Sequence, residues 1–200
     1  MKILVCGGAG YIGSHVAKAI RLAGHEPVVF DNLSAGHEWA VQWGPLVRGD
    51  LMDRVAIESV LISHQIEAVV QLAGSINVGE SMKNPGKYFR NNFSISLNLL
   101  EAMDASGVNQ IVFSSTASVY GIPATSPIDE SAAKRPINPY GEAKWFVERL
   151  LDRYPAPPHL ALLSATPRTP LSKPIWLACR AGHWRRPRGH RASLVSVPTR

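Results

Sequence analysis

Three side chains in this sequence are spaced to move a proton. In Tyr140-Gly141-Glu142-Ala143-Lys144 a phenol and an ammonium stand four positions apart, so on a helix they share a face. A cation beside a phenol favours the phenolate, which lowers the tyrosine pKa and makes a poor base usable near neutral pH. Upstream, Ser114-Ser115-Thr116 closes an apolar run, and the Thr116 hydroxyl can orient a substrate oxygen and share its proton. Ordinary surface helices also carry tyrosine and lysine at this spacing, so the pair draws its weight from its surroundings.

Those surroundings begin with Gly7-Gly8-Ala9-Gly10-Tyr11-Ile12-Gly13, set directly after the apolar run Lys2-Ile3-Leu4-Val5-Cys6. Glycines 8, 10 and 13 fit G-x-G-x-x-G, a spacing that serves a tight turn, close backbone approach to a pyrophosphate and close packing of helix on strand. Phosphate charge then sits on free N–H groups at a helix N-terminus. A second apolar run, Pro27-Val28-Val29-Phe30, ends in Asp31, 18 positions after Gly13. A carboxylate there accepts from ribose hydroxyls and repels a 2′-phosphate, and no arginine follows it in Asn32-Leu33-Ser34. The expected cofactor is therefore NAD rather than NADP. Gly49-Asp50-Leu51 ends a third run in the same manner and is a weaker candidate for the adenine end.

These residues need a scaffold that places strand ends together. Short β-branched runs alternate with helical patterns over residues 1–154, which predicts an α/β fold with a Rossmann-like, doubly wound parallel sheet. Strands are expected at 2–6, 27–31, 45–48, 68–73 and 109–114. Helices are expected over 14–23, 53–62, 92–106 and from Tyr140 through Leu151, with Leu97, Leu100 and Met103, and less regularly Leu99, facing the core. In such sheets ligands bind beyond the carboxyl ends of the strands, where Thr116 falls.

Residues 1–154 carry 13 basic and 15 acidic side chains, whereas 155–200 carry eight basic and no acidic ones. The net charge of +6 therefore belongs to the C-terminal stretch, and no nucleic-acid face is expected on the body. Two cysteines, Cys6 and Cys179, make no disulfide framework and suit a reducing compartment. With no apolar run of membrane-spanning length and no signal-peptide pattern, the expected location is cytoplasmic, without a membrane partner. The seven histidines form no spaced metal cluster in the body, and Cys179, His183 and His190 lack a fourth ligand at standard spacing, so no metal is expected.

Clamp, Ser/Thr-rich strand end and Tyr-x-x-x-Lys, in this order, resemble the extended short-chain dehydrogenase/reductase family. The resemblance sharpens through Cys6 to His15, Asp31 to Ser34, Leu72-Ala73-Gly74-Ser75 with Val78-Gly79-Glu80-Ser81, Pro85 to Tyr88 with Asn91-Asn92, Phe113 to Gly121, and Pro139 to Lys144. It is closest to members that epimerise nucleotide sugars. The resemblance implies an NAD-dependent isomerase that reversibly inverts C4 of a UDP-hexose through a 4-keto intermediate, with enzymes for other nucleotide sugars and a non-catalytic nucleotide-binding fragment as alternatives. It makes Tyr140 the base, has Lys144 tune it and hold the nicotinamide ribose, and puts Thr116 on the sugar 4-oxygen. Gly7, Gly10, Tyr11, Ile12, Gly13, Asp31, Asn32, Asp50, Leu51, Leu72, Ala73, Gly74 and Asn91 then contact NAD. A homodimer through helices equivalent to 92–106 and 140–153 is also implied.

Two departures accompany the resemblance. Gln71 stands where a histidine usually precedes Leu-Ala-Gly, a change expected to be tolerated at a structural position. Ala117-Ser118 follows Thr116 where sugar-nucleotide dehydratases carry the Asp-Glu pair that performs elimination, which disfavours dehydration. Beyond Tyr154 the likeness is expected to stop. Residues 155–200 hold eight of the 15 prolines and the run Trp184-Arg185-Arg186-Pro187-Arg188-Gly189-His190-Arg191. The expectation there is a disordered basic tail, of the kind a shifted reading frame or a badly joined gene fragment makes, in place of a substrate-gripping lobe.

Overall fold

In the computed structural model the described residues are 1–154, with the backbone of 159–164 and 193–196. In chain order the strands are β1 (Lys2–Cys6), β2 (Glu26–Asp31), β3 (Leu46–Arg48), β4 (Ala68–Gln71), β5 (Gln110–Ser114), β6 (His159–Ser164) and β7 (Ser193–Ser196). The helices are α1 (Tyr11–Leu22), α2 (Arg54–Ser63), α3 (Val78–Lys83), α4 (Pro85–Tyr88), α5 (Ser94–Ala105) and α6 (Pro139–Leu151). All strand pairings among them are parallel. The order β3-β2-β1-β4-β5-β6-β7 is the doubly wound pattern, with its topological switch between β1 and β4.

Alternation along the strands assigns the two faces. Leu4, Cys6, Val28, Phe30, Val69, Ile111 and Phe113 point into one core with Ile57, Leu61, Leu99, Met103, Val147 and Leu151 from α2, α5 and α6. Ile3, Val5 and Val70 point the other way, toward Ile20 and Val16 of α1. Burial, and then the Asp31 charge, push the Cys6 thiol far up, so it stays a protonated core side chain.

Several boundaries differ from those expected. The first helix starts at Tyr11 instead of 14, because Gly10 already has the extended backbone of an N-cap, and Tyr11, Ile12 and Gly13 form its first turn. β4 ends at Gln71, leaving Leu72 and Ala73 in the loop. α3 and α4 arise where no element was expected, each capped by an asparagine: Asn77 accepts from Glu80 N and Asn84 from Lys87 N. A π-helical turn, Phe89–Phe93, leads into α5. The buried face of α5 runs through Ile95, Ser96, Leu99, Leu100 and Met103, so Leu99 is fully buried and Leu97, expected in the core, is only half-buried.

The body continues beyond residue 154. β6 pairs along β5 from Gln110↔His159 to Ser114↔Leu163, and β7 pairs with β6. Leu160-Ala161-Leu162-Leu163 is an unbroken apolar run without alternation, the pattern that inner parallel strands generally carry. The expected tail disorder, the Trp184–Arg191 run and the Cys179, His183 and His190 candidates otherwise lie outside the described residues.

Candidate active site

The glycine loop connects β1 to α1 at the switch point. Gly7 takes a positive φ of 79°, and a Cβ there would stand 2.8 Å from Ala73 N, so the β1 and β4 loops meet at backbone distance. A Cβ on Gly13 would lie 2.1 Å from the Gly7 carbonyl oxygen, which is why the first turn of α1 can rest on the loop. Gly10 is different. Its Cβ would meet only Gly7 O, at 3.4 Å, so that side of the turn is open. No side chain caps α1, and its first N–H groups face this space. A crowded inner side, an open outer side and an uncapped helix start fit a pyrophosphate.

Asp31, at the end of β2, is 9 % exposed and already holds backbone. Oδ2 accepts from Ala9 N at 3.0 Å and Oδ1 from Leu33 N at 2.8 Å. A carboxylate has about four acceptor positions, so two remain for hydroxyl donors. Asn32 Nδ2 donates to Asp50 Oδ2 at 2.9 Å, and Asp50 Oδ1 accepts from Met52 N, joining the ends of β2 and β3 into one rim. Leu51 is buried in the core beneath this rim, while Tyr11 and Ile12 are exposed.

The β4 end is held by the π-helical turn. Asn92 accepts from Ser75 N at 2.7 Å and donates to Ser75 O at 2.9 Å, while Asn91 Nδ2 reaches Ser75 Oγ at 2.8 Å. Gly74, at φ 151°, makes the bend that brings Asn92 close. Gln71 is 1 % exposed and spends Oε1 on Ala73 N at 3.2 Å, a structural use, although its Nε2 has no partner.

α6 brings in the remaining residues. Asn138 caps it by accepting from Gly141 N at 2.8 Å, and Pro139 starts it. A Cβ on Gly141 would stand 2.7 Å from Ser118 O, so this glycine lets the helix descend onto the turn Ala117–Tyr120. Thr116 Oγ1 accepts from Ser118 N, which leaves its hydrogen to donate to Tyr140. Burial raises the Tyr140 pKa, and the Thr116 hydrogen bond opposes that shift. Lys144 is 4 % exposed. Its Nζ donates to Ser114 O at 3.0 Å and lies 4.8 Å from the centre of the Phe113 ring. Burial pulls its pKa down to about 8, so a large fraction remains cationic at neutral pH. Thr116, Tyr140 and Lys144 thus converge at the carboxyl end of β5.

A family model described as "NAD dependent epimerase/dehydratase family" matches residues 3–170. The chain belongs to that family. Among family members, UDP-glucose 4-epimerase of Rhizobium meliloti (strain 1021) is 48% identical over 153 residues, which are 76% of this chain and 47% of that protein. UDP-glucose 4-epimerase of Rhizobium leguminosarum bv. trifolii is 42% identical over 193 residues, 96% of this chain and 58% of that one. The structure of UDP-glucose 4-epimerase from Brucella ovis in complex with NAD superposes with a TM-score of 0.80 at 40% identity, covering 83% of this chain and 52% of that chain. The chain spans about half the length of the curated relatives it matches; the R. meliloti match covers 153 residues, whereas the family model reaches residue 170 and the R. leguminosarum match covers 193 residues.

Other residues of the site are given no role by the sequence. Tyr88 is fully buried, meets the Tyr140 ring edge-on at 6.4 Å and donates to Glu80 Oε2 at 2.9 Å. Lys87 pairs with the same carboxylate, so Glu80 anchors the segment before the π-helical turn, and Ser81 bonds Val78 O. Glu148, which is buried, accepts from the buried Ser115 hydroxyl and pairs with the half-buried Lys134. Glu148 was findable from spacing alone, four residues beyond Lys144 on the Tyr140 face.

Proposed function

We propose that this chain carries the NAD-binding and proton-transfer half of a UDP-hexose 4-epimerase. The observation that carries the reading is the convergence of Thr116, Tyr140 and Lys144 at the end of β5, across the switch point from an open glycine turn and Asp31. The Gly7–Gly13 loop and the α1 terminus take the pyrophosphate, Asp31 the adenosine ribose, and Asn32, Asp50 and Leu51 the adenine side. Leu72, Ala73, Gly74 and Asn91 line the path toward the nicotinamide. NAD held there would supply reversible hydride exchange at C4 of the sugar. Tyr140 takes the 4-hydroxyl proton and later gives it back, Thr116 holds the 4-oxygen, and the Lys144 cation stabilises the phenolate while holding the nicotinamide ribose.

The test is Tyr140→Phe in an assay for UDP-galactose conversion. Turnover falls at least 10²-fold, the usual scale for loss of a general base, while NAD affinity is retained. Retained turnover rules out the assignment. Because the chain spans about half of its relatives, a second reading is a fragment that binds NAD without turning over. Bound NAD without conversion by the unaltered chain selects it.

The reading extends to a homodimer through α5 and α6, where Leu97, Trp145 and Phe146 are only half-buried. Light scattering at the mass of two chains supports that pairing, and a monomer at high concentration rejects it.

A further inference from the structure

Three consecutive residues leaving β5 each meet a different turn of α6. The Ser114 carbonyl accepts from Lys144, the Ser115 hydroxyl donates to Glu148, and Thr116 bonds Tyr140. Tyr140, Lys144 and Glu148 follow at four-residue steps, so they stack along one face. The first two carry the proposed chemistry, and the third is only 3 % exposed. Its second oxygen is taken by Lys134, from the segment between the turn Ala117–Tyr120 and α6. Well-packed apolar residues commonly replace a buried ion pair without loss of stability, so stability alone is a weak reason for this pair. Register is a stronger one. A helix advances about 1.5 Å per residue, while a hydrogen bond tolerates only a few tenths of an ångström, so a small slip of α6 would part Tyr140 from Thr116.

We propose that Ser115, Glu148 and Lys134 form a brace that holds α6 in register with the end of β5, which makes Glu148 a positioning residue for Tyr140 and Lys144. The catalytic value of the brace rests on the roles proposed above; its geometry does not. Glu148 is joined on one side to the strand end and on the other to the segment leading into α6, so both approaches to the helix are pinned at one carboxylate. From other elements, the Glu80–Lys87 pair is linked to the Tyr140 ring through Tyr88. On its own helix, Lys144 stands four residues on and shares its face.

The test follows the ionisation of Tyr140 by NMR of the chain carrying ¹³Cζ-labelled tyrosine, without cofactor or substrate, its signal assigned with Tyr140→Phe. Ser115→Ala removes one side of the brace and keeps the charges, and Glu148→Gln keeps the shape and removes the charge. In both, a loosened Thr116 contact shifts the Tyr140 midpoint upward by at least half a pH unit, roughly threefold in ionisation constant, while the Tyr88 signal stays put. The double variant shifts no further than the larger single one, because both act through one contact. A midpoint that stays at the wild-type value in both folded variants overturns the brace. Absence of UDP-galactose conversion by the unaltered chain would count against the proposed reaction alone, since the titration needs no turnover.

Discussion

Lys144 carries its charge where almost no water reaches it, and this has a pH signature. Its pKa lies at about 8 in the folded chain against an ordinary 10.5, because burial penalises the cation. Below about pH 8 the folded and unfolded states are both protonated, so the folded state bears the full penalty. Between about 8 and 10.5 the unfolded chain binds more protons, and the penalty is progressively relieved. Lys144→Met should therefore stabilise at pH 7, by on the order of 3 kcal/mol for the shift, less about 1 kcal/mol for the Ser114 carbonyl that loses its donor. Urea unfolding at pH 7 and pH 10.5 checks this, and a gain that does not shrink with pH contradicts it. Asp31 makes a different prediction at the same scale. Asp31→Ala removes the acceptor for Ala9 N and Leu33 N as well as the partner proposed for the ribose. Calorimetry should show NAD affinity falling at least tenfold, about 1.4 kcal/mol, with NADP affinity falling less because repulsion of the 2′-phosphate is gone. Equal losses for both cofactors would leave Asp31 a structural residue only.

The helix α6 and the loop that leads into it turn these residues into a site. Gly141→Ala sets a methyl 2.7 Å from Ser118 O, and neither backbone can yield without lifting α6. The expected cost is about 1–3 kcal/mol of stability, the usual scale of overpacking, together with reduced turnover. NAD affinity should change less than threefold, because the glycine loop and Asp31 belong to other elements. A loss of NAD affinity larger than the loss of turnover would show that α6 positions cofactor rather than substrate. The sequence made much of this legible. Glycine spacing, Asp31 and the Tyr-x-x-x-Lys step are local signals, each tied to one turn or one helix face, and the structure brings those residues to one end of one sheet. Spacing puts Glu148 on the Tyr140 face, but its partners Ser115 and Lys134 stayed hidden because they meet it only in the folded chain, across 33 and 14 positions. Leu97, expected in the core with Leu99, Leu100 and Met103, is only half-buried, because the buried face of α5 passes through Ser96, a polar residue that hides its phase from a reading of apolar positions.

At the scale of the whole molecule the decisive strand is β5, because the Ser114–Thr116 corner hangs from its carboxyl end. If β5 were an edge, every second N–H would face solvent and the corner would share the mobility of a sheet margin. In the structure β4 lies on one side and β6 on the other, with partners for Gln110 through Ser114 along β6. That placement comes from a stretch where no strand was expected, since its short apolar run is embedded in a proline-rich, basic, acid-free composition. Hydrogen exchange distinguishes the two arrangements. With β6 in place, consecutive amides from Ile111 to Ser114 should exchange at similarly slow rates, because those on either side of the strand are bonded and open only with the surrounding sheet. With β5 at an edge, slow and fast amides would alternate along the strand. Such alternation would mean that the corner bearing Thr116 lacks the rigid support on which its contact with Tyr140 depends. A uniform slow block would mean that β6 helps to hold the site although none of its side chains need touch it.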